Sequence, residues 1–211
     1  MIYVATRNAG KLREMDALFA GSGFALATYD RYLEPVEGET SYAENAALKA
    51  RTLHQQLREA ELPANVLADD SGLEVYALDG APGVMTAYYG GVGRSWTERR
   101  RLLLSELHGS GSADRSARFV CALHFISEGG REFGALATVE GEIAREDGGV
   151  AGFSFDPVFL YPPAGRTFAE VDEAEKNRVS HRAVAAAGLL ATLRAAGIRP
   201  WRAVETQEPG P

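Results

Sequence analysis

Apolar positions near the start of the chain follow first a strand pattern and then a helix pattern. Residues 2–6 form a short, mostly apolar run that is typical of a buried strand. Apolar residues then recur at helical spacing at Leu12, Met15, Leu18 and Phe19. A second helix is predicted over residues 41–58, because Ser41 and Glu44 match a capping box and apolar side chains follow on one face.

Strand and helix patterns continue to alternate in the middle of the chain. Residues 66–68 predict a strand that ends at an acidic pair, and residues 95–107 predict a helix that starts at a serine cap. Residues 118–127 and 131–142 predict two long strands, joined in a hairpin by the Glu-Gly-Gly turn at 128–130.

The last predicted helix begins at Ser180 and stops at Gly197. Its inward face is expected to consist of Val184, Ala187, Leu190 and Leu193. Helices and strands therefore mix along the chain, with a parallel-style opening and a hairpin later. This order predicts an α/β fold with a mixed sheet.

Length and charge narrow the class of protein. The 211 residues suit one large domain or two small lobes, and we expect a single domain over residues 1–204 followed by a mobile tail at 205–211. With 22 basic and 29 acidic residues, the net charge is −7. This balance argues against nonspecific binding to nucleic acid or to a membrane surface.

Cysteine content and hydropathy point to the cytoplasm. Cys121 is the single cysteine, so an intrachain disulfide is excluded and a reducing compartment is favoured. No apolar run approaches the roughly 20 residues that a membrane span needs. The opening residues also lack the basic-then-apolar order of a signal peptide.

The segment ATRNAGK at residues 5–11 is the first candidate for chemistry. A strand, a short turn and a helix start can form an anion site from backbone N–H groups. Thr6 and Asn8 could add side-chain donors, and Lys11 could add a point charge suited to phosphate. The alternative is a capped helix with a solvated lysine. The P-loop pattern is absent, which disfavours a P-loop kinase or ATPase.

The acidic pair Asp69 and Asp70 is the second candidate. Carboxylates beyond a strand end are suitable Mg²⁺ ligands, although Asp-Asp-Ser-Gly is also good turn chemistry. A second ligand could come from an upstream acidic group: Glu34, Glu37, Glu39 and Glu44. Glu44 is the weakest of these because it also fits as a helix-capping residue. Lys49, five residues later, could be functional or simply solvated.

A glycine-rich loop with two aromatic residues is the third candidate. In GGVAGFSFDPVF, residues 148–159, Phe153 or Phe155 could stack on a flat base, while the alternative places phenylalanine in the core. Asp156 precedes a proline and is therefore kept out of helical geometry. It is expected to act as a turn cap or as a ligand.

The fourth candidate is EKNRVSHR at residues 175–182. Lys176, His181 and Arg182 lie around a helix start, where positive charge opposes the helix dipole. A local rule broken in this way can indicate function. The alternative is an exposed basic turn.

Together these stretches resemble the inosine-triphosphate/non-canonical purine nucleoside triphosphate pyrophosphatase family. Five motifs occur in the family's order: Thr6-Arg7-Asn8-Ala9-Gly10-Lys11, ENAALKA at 44–50, Asp-Asp-Ser-Gly-Leu at 69–73 with Gly-Ala-Pro-Gly at 80–83, Phe153-Ser154-Phe155-Asp156-Pro157, and EKN…SHR at 175–182. Arg7 replaces a glycine that is common in the family. Ser154 and Phe155 replace the usual glycine and tyrosine.

The resemblance implies a fold, a reaction and a set of roles. It implies an elongated mixed sheet with helices, two lobes flanking a central substrate cleft, and a homodimer. The reaction is cleavage between the α and β phosphates, giving a nucleoside monophosphate and pyrophosphate. Asp70 is then expected as general base and as Mg²⁺ ligand with Glu37, or with Glu34 as the reserve. Lys11 and Lys49 would offset developing charge, and Asp69 would support them.

Substrate contacts are implied at a larger set of positions: Thr6, Arg7, Asn8, Ala9, Gly10, Lys11, Ser71, Phe153, Ser154, Phe155, Asp156, Lys176, His181 and Arg182. Inosine and xanthosine bases carry an acceptor oxygen at C6, where adenine carries a donor amine. Donors on Lys176, His181 and Arg182 would therefore be satisfied by a 6-oxo base and left unpaired by adenine.

Two other functions compete with this interpretation. One is a pyrophosphatase of the fold-related Maf-type group that acts on pyrimidine or modified nucleotides, although the Ser-His-Arg ending and the Phe-Ser-Phe-Asp-Pro loop argue against it. The other is a regulatory nucleotide-binding module without turnover, which would not need both the acid pair and the lysines.

Overall fold

A computed structural model describes residues 1–200, so the predicted tail at 205–211 and the end of the predicted domain lie outside the described residues. Within this range the strands are β1 Ile2–Val4, β2 Leu26–Ala27, β3 Asn65–Val75, β4 Ser116–Ile126, β5 Glu132–Ile143, β6 Phe159–Tyr161 and β7 Arg166–Thr167. They form one seven-stranded mixed sheet in the order β2-β1-β3-β4-β5-β6-β7. β1 pairs in parallel with β2 and β3, and the other neighbours are antiparallel.

Each α-helix in the described range starts at a polar cap. The helices are α1 Ala9–Phe19, α2 Tyr42–Glu59, α3 Trp96–Gly109, α4 Glu173–Val179 and α5 His181–Ala195. Their N-cap side chains accept hydrogen bonds from first-turn N–H groups and belong to Asn8, Ser41, Ser95, Asp172 and Ser180. The cap predicted at Ser41 is therefore confirmed.

Helices cover both faces of the sheet. On one face, Leu53 and Leu57 of α2 pack against Val66 of β3. On the other face, α1 and α5 bury Met15 and Leu189 among residues of β3 and β4. The predicted α/β class with a mixed sheet is confirmed, while the two-lobed cleft stays a prediction.

Strand β3 differs from its predicted end. It does not stop at residue 68 but continues through Asp69 and Asp70 to Val75. The reason is that β4 pairs with every β3 residue from Val66 to Val75, so the sheet overrides the local turn chemistry. The hairpin formed by β4 and β5 is confirmed, with pairing from Ile126–Glu132 onwards.

The inward face of α5 also differs from the prediction. Leu193 is buried as predicted, but Val184 and Ala187 are exposed and Leu190 is half-buried, whereas Ala185 and Leu189 are buried. The helix is rotated because its first turn buries a histidine and an arginine instead of exposing them. No helix in the described range is long and apolar enough to cross a membrane.

Candidate active site

The site lies at the point in the sheet where β1 ends while the neighbouring strand β3 continues. The N–H of Ala5 still donates to the carbonyl of Leu67 at 2.8 Å, after which the chain turns into α1. From Asp69 onwards, β3 therefore has no strand beside it on this side. A cavity of about 230 Å³ opens there. Its position beyond the carboxyl end of a parallel strand matches the usual ligand site of open α/β sheets.

Most of the predicted site residues line this one cavity. Four of the predicted substrate residues do not line it: Ala9, Gly10, Phe155 and Lys176. The residues that line it are Thr6, Arg7, Asn8, Lys11, Glu34, Glu37, Lys49, Asp69, Asp70, Ser71, Phe153, Ser154, Asp156, His181 and Arg182. The structure thus brings together segments that are up to 176 positions apart, from Thr6 to Arg182.

Asp70 is a buried carboxylate paired with a buried lysine. Lys49 Nζ donates to Asp70 Oδ1 at 2.7 Å, and Asn45 Nδ2 donates to Asp70 Oδ2 at 3.3 Å. Burial raises the pKa of Asp70 to about 6, and the charge of Lys49 opposes that rise without cancelling it. A carboxylate with a pKa this close to neutrality is suited to accept a proton during a reaction.

The side chain of Asp69 lies on the other face of β3 and accepts several hydrogen bonds there. Arg182 Nε donates to it at 2.9 Å, Ser71 Oγ at 3.1 Å and Cys121 Sγ at 3.2 Å, and Lys11 forms a salt bridge with it. Burial acts to raise the pKa of Asp69, but the charges of Arg182 and Lys11 outweigh it and hold the pKa well below the usual range. Asp69 is therefore a permanent anion that orients cations.

Two carboxylates converge on a single positive charge in the cavity. Lys49 Nζ lies 3.2 Å from Glu37 Oε2 as well as 2.7 Å from Asp70. Glu34 instead accepts the backbone N–H of Arg7 at 3.3 Å. Glu37 and Asp70 could hold a divalent cation between them, and Mg²⁺ usually takes only one or two protein carboxylates together with phosphate and water. In residues 1–200, no cluster of three or more His, Cys, Asp or Glu residues could hold a metal.

The turn before α1 differs from the expected anion site. Asn8 Oδ1 caps the helix by accepting the N–H groups of Gly10 at 2.9 Å and Lys11 at 3.2 Å. The N–H of Asn8 donates to Thr6 Oγ1, and that of Arg7 to Glu34. These four backbone donors already have partners, so a phosphate cradle built from them would have to replace these hydrogen bonds, and the cradle stays a prediction. The cationic side chains around the cavity remain as the groups that can face phosphate.

Phe153 stands at the other end of the cavity, above two cations. Its ring centroid lies 5.3 Å from Lys176 Nζ and 5.6 Å from Arg182 Cζ. Asp156 Oδ2 accepts both the N–H of Phe153 and Lys176 Nζ at 2.7 Å. Gly152 has φ +72°, and a Cβ there would lie 2.4 Å from Asp156 Oδ2, so the loop needs glycine.

His181 lines the cavity and is buried against the hydrophobic core. Its ring stacks on Phe119 with centroids 4.6 Å apart and planes at 15°. Burial, reinforced by the charge of Arg182, holds the pKa of His181 well below its usual range, so the ring is neutral. Its Nδ1 is buried with no hydrogen-bond partner in the described part of the chain. A neutral imidazole can offer one donor and one acceptor.

Two predicted base contacts are corrected by the structure. Phe155 is fully buried, with Tyr89 and Trp96 packed edge-on against it at 6.3 and 5.7 Å, so no base can stack on it. Lys176 is also buried and does not line the cavity, because its ammonium is engaged by Glu14 and Asp156. Lys176 can act on a ligand there only through Phe153 and its acidic partners.

Glu14 is the main site residue that the sequence motifs did not indicate. Its two oxygens bind Lys176, at 2.5 Å, and Arg182. Burial acts to raise the pKa of Glu14, but the charges of Arg182 and Lys176 outweigh it and lower the pKa. The available signal was its spacing, because Glu14 is one helical turn beyond Lys11 on α1. Asn45 and Trp96, which also contact Asp70 or line the cavity, were missed too.

Comparison with known proteins extends these observations. The model of the Ham1 family matches residues 2–192. A protein named dITP/XTP pyrophosphatase from Exiguobacterium sibiricum is 42% identical over 195 residues, which cover 91% of this chain and 96% of that protein. A protein of the same name from Geobacillus kaustophilus is 42% identical over 187 residues, covering 87% of this chain and 89% of that protein.

Solved structures agree with these sequence matches. A HAM1 protein from Coxiella burnetii superimposes with a TM-score of 0.79 at 36% identity and covers 92% of this chain and 98% of its own. A structure named nucleoside-triphosphatase/dITP/XTP pyrophosphatase from Mycobacterium abscessus has a TM-score of 0.69 at 36% identity, with 92% and 99% covered. On the strength of its fold, its cavity and these matches, the chain belongs to the Ham1 family.

Proposed function

We propose that the protein hydrolyses the non-canonical purine nucleoside triphosphates ITP, dITP and XTP to the monophosphate and pyrophosphate, and so removes them from the nucleotide pool. One observation carries the proposal: Asp70, a buried carboxylate with a pKa of about 6, faces the same cavity as Lys11 and Lys49. The name dITP/XTP pyrophosphatase, borne by relatives such as that from Exiguobacterium sibiricum, supports it.

The residues around the cavity have different roles in the proposed hydrolysis. Asp70 accepts a proton from the attacking water as the bond between the α and β phosphates breaks. Lys49 holds the Asp70 carboxylate in place and offsets negative charge on the phosphates. Lys11, held by Asp69, supplies a second positive charge from the opposite face of β3.

A Mg²⁺ ion would fit the carboxylate pair of Asp70 and Glu37. Both lie within 3.2 Å of the Lys49 ammonium, which supports them as a pair that can share one cation. When bound, the ion would offset negative charge on the phosphates. Glu34 is the weaker candidate because it is engaged by the turn at Arg7.

Base selection would follow from the donors near Phe153. The base would stack on the Phe153 ring, with Arg182 and His181 on the cavity wall beside it. Arg182 donates through Nε to Asp69 and through Nη2 to Ser71, which fixes the guanidinium and leaves further N–H groups for an oxygen at C6. Adenine would leave such a donor unmade, at a cost of about 1–3 kcal/mol.

We further propose a single-domain homodimer that acts in the cytoplasm and binds no nucleic acid. The net charge of −7 and the single, buried Cys121 support this setting. Light scattering coupled to gel filtration tests the assembly, because a homodimer would elute with twice the chain mass of 22.7 kDa. A mass of one chain would overturn the dimer without affecting the proposed reaction.

A panel of nucleoside triphosphates with Mg²⁺ tests the proposed reaction. Pyrophosphate should be assayed separately from orthophosphate, for ITP, dITP, XTP, GTP, ATP and the pyrimidine triphosphates. We expect fast pyrophosphate release from ITP and XTP and little from ATP. Orthophosphate as the first product would reject cleavage between the α and β phosphates.

The same panel separates the competing functions. Preference for pyrimidine or modified nucleotides would favour a Maf-type pyrophosphatase. Tight binding of ITP without any product would favour a regulatory module.

A further inference from the structure

Arg7 connects the two sides of the cavity mouth. Its Nη2 donates to the carbonyl oxygen of Tyr32 at 2.6 Å, and its backbone N–H donates to Glu34 Oε1 at 3.3 Å. Arg7 itself belongs to the turn between β1 and α1. Tyr32 and Glu34 belong to the connection between β2 and α2, which also carries Glu37. One residue thus contacts both the turn and the connection that holds the acidic side chains.

The connection between β2 and α2 is anchored in the core at Tyr32, and beyond that residue it depends on a few polar contacts for its position. Residues 28–41 contain no helix or strand. Gln56 exchanges two hydrogen bonds with Leu33, at 3.0 and 2.9 Å, and Asn45 exchanges two with Gly38, at 2.8 and 2.9 Å. Leu33 is 67% exposed and Val36 is 94% exposed, so these side chains do not anchor the segment by packing.

Arg7 contacts this connection on either side of Leu33, through its guanidinium at Tyr32 and through its backbone N–H at Glu34. Glu37 follows three residues after Glu34 and reaches the buried pair of Lys49 and Asp70. Without the guanidinium, only the backbone N–H of Arg7 would still link the stretch from Tyr32 to Glu37 to the turn. The Glu37 carboxylate would then be free to leave the position in which it shares Lys49 with Asp70.

We propose that Arg7 is a positioning residue for Glu37, which holds the acidic connection against the turn so that Glu37 and Asp70 stay convergent. The inference rests on the proposed function for the identity of the cation, Mg²⁺. It differs from the direct phosphate contact expected from the sequence, because the Arg7 guanidinium is engaged by a backbone carbonyl in the absence of any nucleotide.

Amide hydrogen exchange of the metal-free and nucleotide-free protein tests the structural part of the inference. Arg7→Ala should speed exchange several-fold in residues 33–38. The matched control is Arg31→Ala, which removes an exposed arginine from the same connection and should leave exchange in these residues unchanged. Unchanged exchange in Arg7→Ala would overturn the inference, whatever its kinetics.

The Mg²⁺ dependence of ITP hydrolysis tests whether Arg7 works through Glu37. Arg7→Ala should raise the Mg²⁺ concentration for half-maximal rate about tenfold, as expected for loss of a group that orients a metal ligand, with kcat at saturating Mg²⁺ kept within about twofold. In the Glu37→Gln background the same substitution should have almost no further effect. A higher KM for ITP at every Mg²⁺ concentration, with additive effects in the double variant, would assign Arg7 to phosphate instead.

The two experiments also keep this inference separate from the proposed reaction. The exchange measurement uses no nucleotide, so it decides the role of Arg7 in holding the connection even if ITP is not a substrate. Failure of the wild-type protein to release pyrophosphate would reject the proposed reaction and leave that result standing.

Discussion

Asp69 and Asp70 are consecutive residues whose side chains lie on opposite faces of the central sheet. Asp69 contacts Arg182 of α5, and Asp70 contacts Lys49 of α2. The alternation follows from strand geometry, since both residues lie within β3. As a result, one carboxylate is held as a permanent anion while its neighbour has a pKa of about 6. Two adjacent residues of one strand thus place acids of different pKa in the same cavity.

Asp70→Asn should lower kcat about 10²–10⁴-fold, because the amide cannot accept the proton of the attacking water. The fold should be retained, since asparagine has the same shape and β4 still pairs with this position. Pyrophosphate release from ITP measures the rate, and circular dichroism checks the fold. Asp30→Asn, an exposed site, is the control and should behave as wild type. Near-normal turnover in Asp70→Asn would remove this residue from the mechanism.

The rate should also depend on the ionisation of Asp70. Because the base is active only when deprotonated, kcat/KM for ITP should rise with pH up to about 6 and level off above it. Below that value, the slope should be about tenfold per pH unit. Initial rates between pH 4.5 and pH 8, at fixed ionic strength and at a Mg²⁺ concentration well below saturation, measure the profile, because bound Mg²⁺ would itself lower the pKa of Asp70. A profile that is flat from pH 5 to pH 7 would contradict the assignment.

Arg182→Ala should narrow the preference for inosine over adenine triphosphates. Loss of a donor to the C6 oxygen corresponds to about 1–3 kcal/mol, or roughly 5- to 150-fold in the ratio of kcat/KM values. The ratio must be measured at low temperature, because this substitution removes the buried cation that Asp69 and Glu14 share and destabilises the fold. Arg182→Lys keeps the charge and serves as comparison. An unchanged ratio would place base recognition elsewhere.

Glu14→Gln should destabilise the protein by about 1–3 kcal/mol, because it removes the charge shared by two buried cations, Lys176 and Arg182, which keep Asp156 and Asp69 as their other partners. Equilibrium unfolding in urea measures the change. Asp16→Asn is the matched control, since Asp16 is exposed on the same helix. Equal stability of the two variants would show that Glu14 is not needed to neutralise these cations.

Gly152→Ala should impair both stability and substrate binding. Its φ of +72° alone would cost about 1–2 kcal/mol for alanine, and the added Cβ would also displace Asp156, which fixes Phe153. Gly165→Ala provides the control, because Gly165 has φ +62° with no neighbour within 4 Å of the added atom. We expect a higher KM for ITP only in Gly152→Ala. The same KM in both variants would argue against a role for this loop in binding.

The parts of the fold that could be predicted from sequence are those with local signals. Ser41, Ser95 and Ser180 cap their helices as their spacing indicates, because capping is decided within one turn. The hairpin of β4 and β5 is likewise predicted by a local signal, the Glu-Gly-Gly turn between two long strand segments. The extent of β3 could not be predicted, because its continuation past Ala68 depends on pairing with residues 42 to 54 positions later.

The same distinction applies to the site. Motif residues such as Lys49 and Asp70 were identified correctly as neighbours of one cavity. The burial of Phe155 and Lys176 was not predictable, because neither a phenylalanine in a loop nor a lysine in a short helix has a local feature that reveals what packs on it. Glu14 was missed because its two partners are more than 160 positions away along the chain.

Because β1 ends early, the cavity is lined both by the regular strand β3 and by irregular segments. The acids that carry out hydrolysis are placed on a strand whose main chain is fixed by β4. Phe153, expected to stack on the base, and Glu37, expected to bind the cation with Asp70, instead lie in irregular segments, at residues 148–155 and 28–41. Substitutions in those segments can therefore alter which nucleotide is accepted without shifting the acids on β3. Relatives could in this way differ in substrate preference while Asp69 and Asp70 keep their positions.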